Sequence, residues 1–238
     1  MTTIRDLAKI SSMAYHTEQT QYNEWTKVSQ SGNPSGKGFY SVIFRNQSTD
    51  EFVLGIRGTD GDSKDWSDFM SDVEIAAGTT PSQFAAAKQA YEKAKGVASR
   101  LTDSGFKLYL TGHSLGGGLA SLLSASKGGL PTVTFNAPGM KRAYVGGYII
   151  PLVGQFNLSY VKTNKMIHIR ATGDVVSKAT GPHMGKVTDV YVDKWGDDKI
   201  LGASRHLAQH SIDNMFEAMA NIPWTQEDLG WNKEYYYY

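Results

Sequence analysis

Cysteine is absent from the 238 residues. That excludes disulfides, thiolate catalysis and cysteine-based zinc sites. An excess of charge of one sign is missing too. Twenty-four basic residues face 23 acidic ones for a net charge of +1, so there is no electrostatic case for nucleic-acid binding. No run approaches the roughly 18 to 20 apolar residues that a membrane span needs. The opening Met1-Thr2-Thr3-Ile4-Arg5-Asp6-Leu7 lacks the apolar core of a signal peptide. The expectation is a chain made soluble in the cytoplasm, or exported by a route that reads no such signal, and not integral to a membrane. No internal repeat or linker divides the sequence, and its length suits one domain over 1–238 with a substantial core.

The most informative stretch is Gly112-His113-Ser114-Leu115-Gly116-Gly117-Gly118. A run of strand formers, Phe106 to Thr111, precedes it, and Leu115, Leu119, Leu122 and Leu123 follow at helical spacing until Gly128-Gly129. No Gly-Lys-Ser/Thr follows, which leaves a nucleotide P-loop unsupported, and Ser114 stands where a dinucleotide fingerprint needs glycine. Strand, Gly-flanked turn and helix are the context of a G-x-S-x-G nucleophile elbow. A serine on so sharp a turn leaves no room for Cβ atoms two residues either side, which Gly112 and Gly116 omit.

Around this element the pattern alternates. Residues 3–16 read as a helix, 30–38 as a loop, and 39–46 with 51–57 as a hairpin. Thr80-Pro81-Ser82-Gln83 carries a capping-box pattern ahead of Phe84, Ala87, Tyr91, Ala94, Ala98 and Leu101, which recur at helical steps. Pro131 to Asn136, Met166 to Ala171 and Lys186 to Val192 read as strands. Strands alternating with helices predict an α/β fold with a mostly parallel central sheet. The Tyr235-Tyr236-Tyr237-Tyr238 tail reads as an unremarkable terminus rather than an aromatic anchor.

A serine hydroxyl needs a histidine base and an acid to orient that base, in the chain order Ser, Asp or Glu, His. Asp174 follows a predicted strand at its carboxyl end, where ligand-facing residues collect, whereas Asp189 and Asp193 lie in or at the end of the next strand. His210 and His206 compete for the base. Ser211 can cap a helix carrying Ile212, Met215, Phe216 and Met219, which favours His210 on the loop just ahead of it. His113 reads as a neighbour of the nucleophile rather than a base, and His183 sits in a Gly-Pro loop. The N–H of Leu115 supplies one oxyanion donor, and the loop at Arg57-Gly58-Thr59 the other, through Thr59.

With Arg57-Gly58-Thr59, Asp65-Trp66-Ser67-Asp68-Phe69 and Gly112-His113-Ser114-Leu115-Gly116-Gly117 stand Thr134-Phe135-Asn136-Ala137-Pro138, Gly173-Asp174-Val175-Val176 and His210-Ser211. In this order the chain resembles the class 3 lipase family, the group of the fungal triacylglycerol lipases within the α/β-hydrolase fold. The resemblance implies Ser114 as nucleophile, Asp174 as acid, His210 as base, and Thr59 and Leu115 as the oxyanion hole. It also implies a lid over 60–75 around Trp66, Phe69 and Met70. That segment is unusually polar here, with Asp60, Asp62, Lys64, Asp65 and Asp68, which argues against strong activation at an oil surface.

The expected function is a serine ester hydrolase acting on lipid acyl esters, of triacylglycerol lipase or phospholipase A1 type. No cofactor or metal is implied, and transient contact with a lipid surface is. The apolar run Tyr148 to Val153 is a candidate for the acyl groove, with core packing as the alternative. A soluble carboxylesterase competes, as does a contact-delivered bacterial phospholipase toxin with an immunity protein as partner. From another class comes a lipid-binding module on an inactive hydrolase scaffold, against which the intact Ser, Asp and His set speaks.

Overall fold

The structure is a computed structural model that describes residues 2–35, 38–58, 81–103, 105–145, 163–192 and 208–221. Its strands are β1 (Gln21–Tyr22), β2 (Trp25–Gly32), β3 (Tyr40–Asn46), β4 (Glu51–Ile56), β5 (Lys107–His113), β6 (Thr132–Phe135), β7 (Met166–Ala171) and β8 (Lys186–Val190). They form one eight-stranded sheet in chain order. The first four strands pair antiparallel. From β4 onward every pairing is parallel. The described helices include α1 (Ile4–Met13), α2 (Phe84–Leu101), α3 (Leu115–Ser126), α4 (Lys141–Tyr144), α5 (Val176–Ala179) and α6 (Ile212–Ala218).

Helices cover both faces of the sheet, so its central strands are apolar on both sides. Alternate residues of β3 and β4 feed two cores. Ile43, Phe52, Leu54 and Ile56 join Phe84, Ala94, Leu119 and Leu123 of α2 and α3. Val42, Phe44 and Val53 point the other way and join Leu7, Ile10, Ile212 and Met215 of α1 and α6. Helices α1 and α6 are also clasped to each other by polar contacts. Ser12 Oγ donates to Asp213 Oδ1 at 2.6 Å, and His16 Nε2 lies 3.1 Å from Asp213 Oδ2. The Arg5 guanidinium sits 5.0 Å over the Phe216 ring.

The hairpin, the parallel strands and the helix after Phe84 stand as expected, with ends moved by at most two residues. Two expectations are corrected. Residues 30–32 belong to β2 rather than to a loop, since that strand starts at Trp25 and pairs along β3. It is half-buried and mostly polar, so its place comes from its neighbour rather than from its own apolar pattern. Pro81 is not the first helical residue: Gln83 is the N-cap of α2 and makes no side-chain cap bond, while Thr80 lies outside the described residues. A capping box does occur at α1, where Thr3 and Asp6 bond reciprocally.

Candidate active site

Strand β5 delivers Ser114 directly into α3, and the junction has the strain an elbow demands. Ser114 holds φ 53° and ψ −134°, a conformation that non-glycine residues seldom adopt. Its backbone is pinned by N–H donation to the Phe135 carbonyl at 3.0 Å and by its own carbonyl accepting from Gly118 N–H at 3.1 Å. The glycine argument holds atom by atom. A Cβ on Gly112 would lie 2.6 Å from the carbonyl carbon of Gly116, and one on Gly116 would lie 2.2 Å from the Ile56 oxygen. Gly116→Ala is therefore expected to cost about 3 kcal/mol or more, by forcing β4 and α3 apart. By contrast, a methyl at Gly96 in α2 meets only the Arg100 side chain, at 3.6 Å. Gly96→Ala should gain about 0.5–1 kcal/mol. Urea midpoints of the two variants check both signs.

Asp174 lies just past β7, fully buried, at the position the sequence predicts. Its Oδ1 accepts from Nδ1 of His210 at 2.7 Å, and its Oδ2 accepts from the Ser177 N–H at 2.9 Å. Burial pushes the carboxyl up, but the His210 charge and bond together with the Ser177 bonds outweigh it and hold the group below its ordinary value. His210 ends a helical turn over 208–210, rather than lying on an open loop. Ser211 then caps α6 by accepting from Asn214 N–H, as expected. The rings of His210 and His113 are 4.6 Å apart. Since His113 precedes Ser114, this brings the elbow, Asp174 and His210 to one end of the parallel strands. Ser114 Oγ is buried and makes no hydrogen bond among the described residues.

His113 is no rival base. Burial first, then the nearby His210 charge, push it from 6.5 down to about 3. His168, inside the sheet, bonds Thr134 Oγ1 at 2.8 Å through Nδ1 and the Met184 carbonyl through Nε2. Burial, then the His183 charge, push it to about 3 as well. His183 itself packs on the His168 ring and bonds the Ser177 carbonyl at 3.0 Å. Asp189 pairs with Arg170 across β7 and β8, on the exposed edge. Thr59, the 60–75 segment with Trp66, Phe69 and Met70, the run 148–153, Asp193, His206 and the tyrosine tail lie outside the described residues.

Two polar residues gain roles that their sequence context does not suggest. Asn136, at φ 46°, donates through Nδ2 to the carbonyls of Gln209 at 3.0 Å and His210 at 3.1 Å. Its Oδ1 accepts from Ala171 N–H at 2.8 Å, tying β7 to the turn that carries His210. The available signal is an asparagine straight after a strand, a residue type that tolerates left-handed backbone. Tyr15, just past α1, reaches the elbow from the other end of the chain, and nothing in its sequence neighbourhood marks it.

His113 and His168 are held neutral in the fold and protonate when the chain opens. The unfolded chain thus binds more protons between pH 6.5 and about 3. Their contribution is complete above pH 6.5 and is lost as pH falls through that window, at up to about 1.4 kcal/mol per pH unit for each ring. The depressed Asp174 adds the same trend below its ordinary 3.8. The urea midpoint should drop between about pH 7.5 and about pH 5. A constant midpoint would contradict the burial of both rings.

A mostly parallel sheet, an elbow serine at the end of a central strand and an Asp-His pair beyond later strands define an α/β-hydrolase. Solved lipases share the fold. The triacylglycerol lipase of Penicillium expansum aligns over 78% of this chain and 77% of its own, with TM-score 0.52 and 18% identity. The Lip2 lipase of Yarrowia lipolytica aligns over 92% and 89%, with TM-score 0.50 and 16% identity. The resemblance to fungal class 3 lipases is borne out at the level of fold. In sequence, the extracellular phospholipase A1 of Serratia liquefaciens is 29% identical over 210 residues, which is 80% of this chain and 59% of that protein. The chain thus spans about three fifths of the length of that relative. The model of Tle-like phospholipase domains matches residues 7–178, and the chain belongs to that family. Among the described residues no helix is long and apolar enough to cross a membrane.

Proposed function

We propose that this chain hydrolyses the acyl esters of membrane phospholipids, with Ser114 as nucleophile, His210 as general base and Asp174 as its orienting acid. The observation that carries the proposal is the 2.7 Å bond from His210 Nδ1 to buried Asp174, beside an elbow serine with strained backbone. That bond sets the tautomer in which Nε2 is the basic atom. Ser114 Oγ attacks the ester carbonyl while its proton passes to His210 Nε2. The resulting oxyanion is held by the N–H groups of Leu115, at the start of α3, and of Thr59. Collapse of this intermediate breaks the bond to the glycerol oxygen, which takes the proton from His210. Water, activated by the same imidazole, then frees the fatty acid from Ser114.

Family membership and the Serratia phospholipase A1 favour phospholipid over triglyceride. The deciding experiment compares phospholipid vesicles, a triglyceride emulsion and p-nitrophenyl esters of rising chain length. Release of fatty acid and lysophospholipid from vesicles is expected. Turnover of the emulsion alone would move the reading to a neutral-lipid lipase, and of short soluble esters alone to a carboxylesterase. Vesicle binding without hydrolysis would indicate a binding module.

A further inference from the structure

We propose that Tyr15 and His113 form a directional hydrogen-bond relay that positions the oxyanion loop and the backbone of the base against each other. In this relay the Gly58 N–H donates to the Tyr15 hydroxyl and that hydroxyl donates to His113 Nδ1. His113 Nε2–H then donates to the His210 carbonyl. The proposal rests on the hydrolase reading above and adds to it two residues that never touch the substrate.

The polarity follows from which atoms can give a proton. His113 Nε2 lies 2.5 Å from the carbonyl oxygen of His210, and a carbonyl only accepts, so Nε2 carries the hydrogen. Burial keeps the ring neutral, so its other nitrogen is a lone-pair acceptor. The Tyr15 hydroxyl, 3.0 Å from Nδ1, therefore donates to it. Among the described residues the rival acceptor, the His113 carbonyl, is further away at 3.4 Å. With its one proton committed, that hydroxyl is left as an acceptor, and Gly58 N–H meets it at 3.0 Å. Each donor thus meets an acceptor, and reversing the chain would set a hydrogen against the Gly58 N–H.

The ends of the relay give it a bearing on catalysis. Gly58 immediately precedes Thr59, and it has no room to shift. A Cβ there would lie 2.7 Å from the Tyr15 hydroxyl and the His113 oxygen, and 3.2 Å from Leu115 N. Tyr15 thereby spaces the first oxyanion loop from the N–H of the second donor. At the far end, the His210 carbonyl oxygen accepts from both His113 and Asn136. Neutrality matters as well. A charged His113 ring 4.6 Å from His210 would oppose the imidazolium that forms on the base during acyl transfer.

Tyr15→Phe keeps the ring and its edge-on contact with His113 but deletes the hydroxyl. It is expected to lower kcat on a p-nitrophenyl ester by roughly 10- to 100-fold, with KM changed by less than about threefold. His113→Gln can donate with its amide NH₂ and accept with its oxygen, and should recover most of the activity that His113→Leu loses. A loss of thermal stability in Tyr15→Phe with kcat unchanged would reduce Tyr15 to packing and overturn the relay. The tautomer is read separately, by ¹⁵N NMR of the wild-type chain without substrate. Nε2 of His113 should be protonated and Nδ1 unprotonated from about pH 5 to about pH 8. A hydrogen on Nδ1 would overturn the relay. Because that spectrum needs no turnover, it decides the relay even if Ser114→Ala shows that hydrolysis does not run through the serine.

Discussion

Ser114→Ala is expected to abolish ester hydrolysis, by about 10⁴-fold or more, and to leave the fold in place. The left-handed backbone at this position is strained for serine and for alanine alike, so the change adds no new conformational cost. The buried Oγ makes no hydrogen bond among the described residues, so its removal strands no described partner. Stability should stay level or rise slightly while turnover collapses, the opposite of what a structural serine would give. Initial rates on a p-nitrophenyl ester, set beside urea midpoints, separate the two. Turnover close to the wild-type rate in the variant would remove Ser114 from the mechanism.

His210→Ala should be about as damaging, because members of one catalytic unit do not contribute additively. Asp174→Asn should lower turnover by about 10⁴ through the wrong imidazole tautomer. The structure adds a condition to that expectation. The Asp174 oxygens serve two donors, His210 Nδ1–H and Ser177 N–H, and an amide can accept from only one of them. One donor then faces an NH₂ group, at a cost of about 1–3 kcal/mol. Circular dichroism and a melting curve must therefore accompany the kinetics, and a folded but inactive variant is the expected result. His206→Ala should cost less than about tenfold. If His206→Ala were inactive and His210→Ala active, the base assignment would be wrong while the reaction class survived.

Much of this site is legible in the amino-acid sequence, for reasons that differ by residue. Ser114 stands out because an elbow is a local object: strand, two obligatory gaps and helix lie within about twenty residues, and each leaves a mark in the sequence. Asp174 follows from its place at a strand end, and His210 from the cap that Ser211 supplies to α6. Strand β2 is hidden because its side chains are mostly polar and half-buried, so only its pairing with β3 makes it a strand. The helix start expected at Pro81 shifts for the converse reason. A local pattern places the first helical residue at Pro81, but the chain begins α2 at Phe84. The role of Tyr15 leaves no trace in the sequence, and that of Asn136 only its place straight after a strand, because they act across separations of 98 and 74 residues, by contacts that impose no periodicity.

The clasp between α1 and α6 joins residues 201 positions apart, Ser12 and Asp213. Tyr15 follows the first helix and His210 precedes the second, so the positioning hydroxyl and the imidazole ride beside separate helices resting on one face of the sheet, while Ser114 and Asp174 belong to the strand ends. If those helices loosen as a unit while the strands keep their ladder, turnover is lost before the chain unfolds, since sub-global openings lie below the free energy of complete unfolding. An assay of turnover therefore gauges the docking of two helices, and an optical melt gauges the sheet. Inactivation by mild heat or acid would run ahead of any spectroscopic transition, and would reverse as soon as the helices settled back.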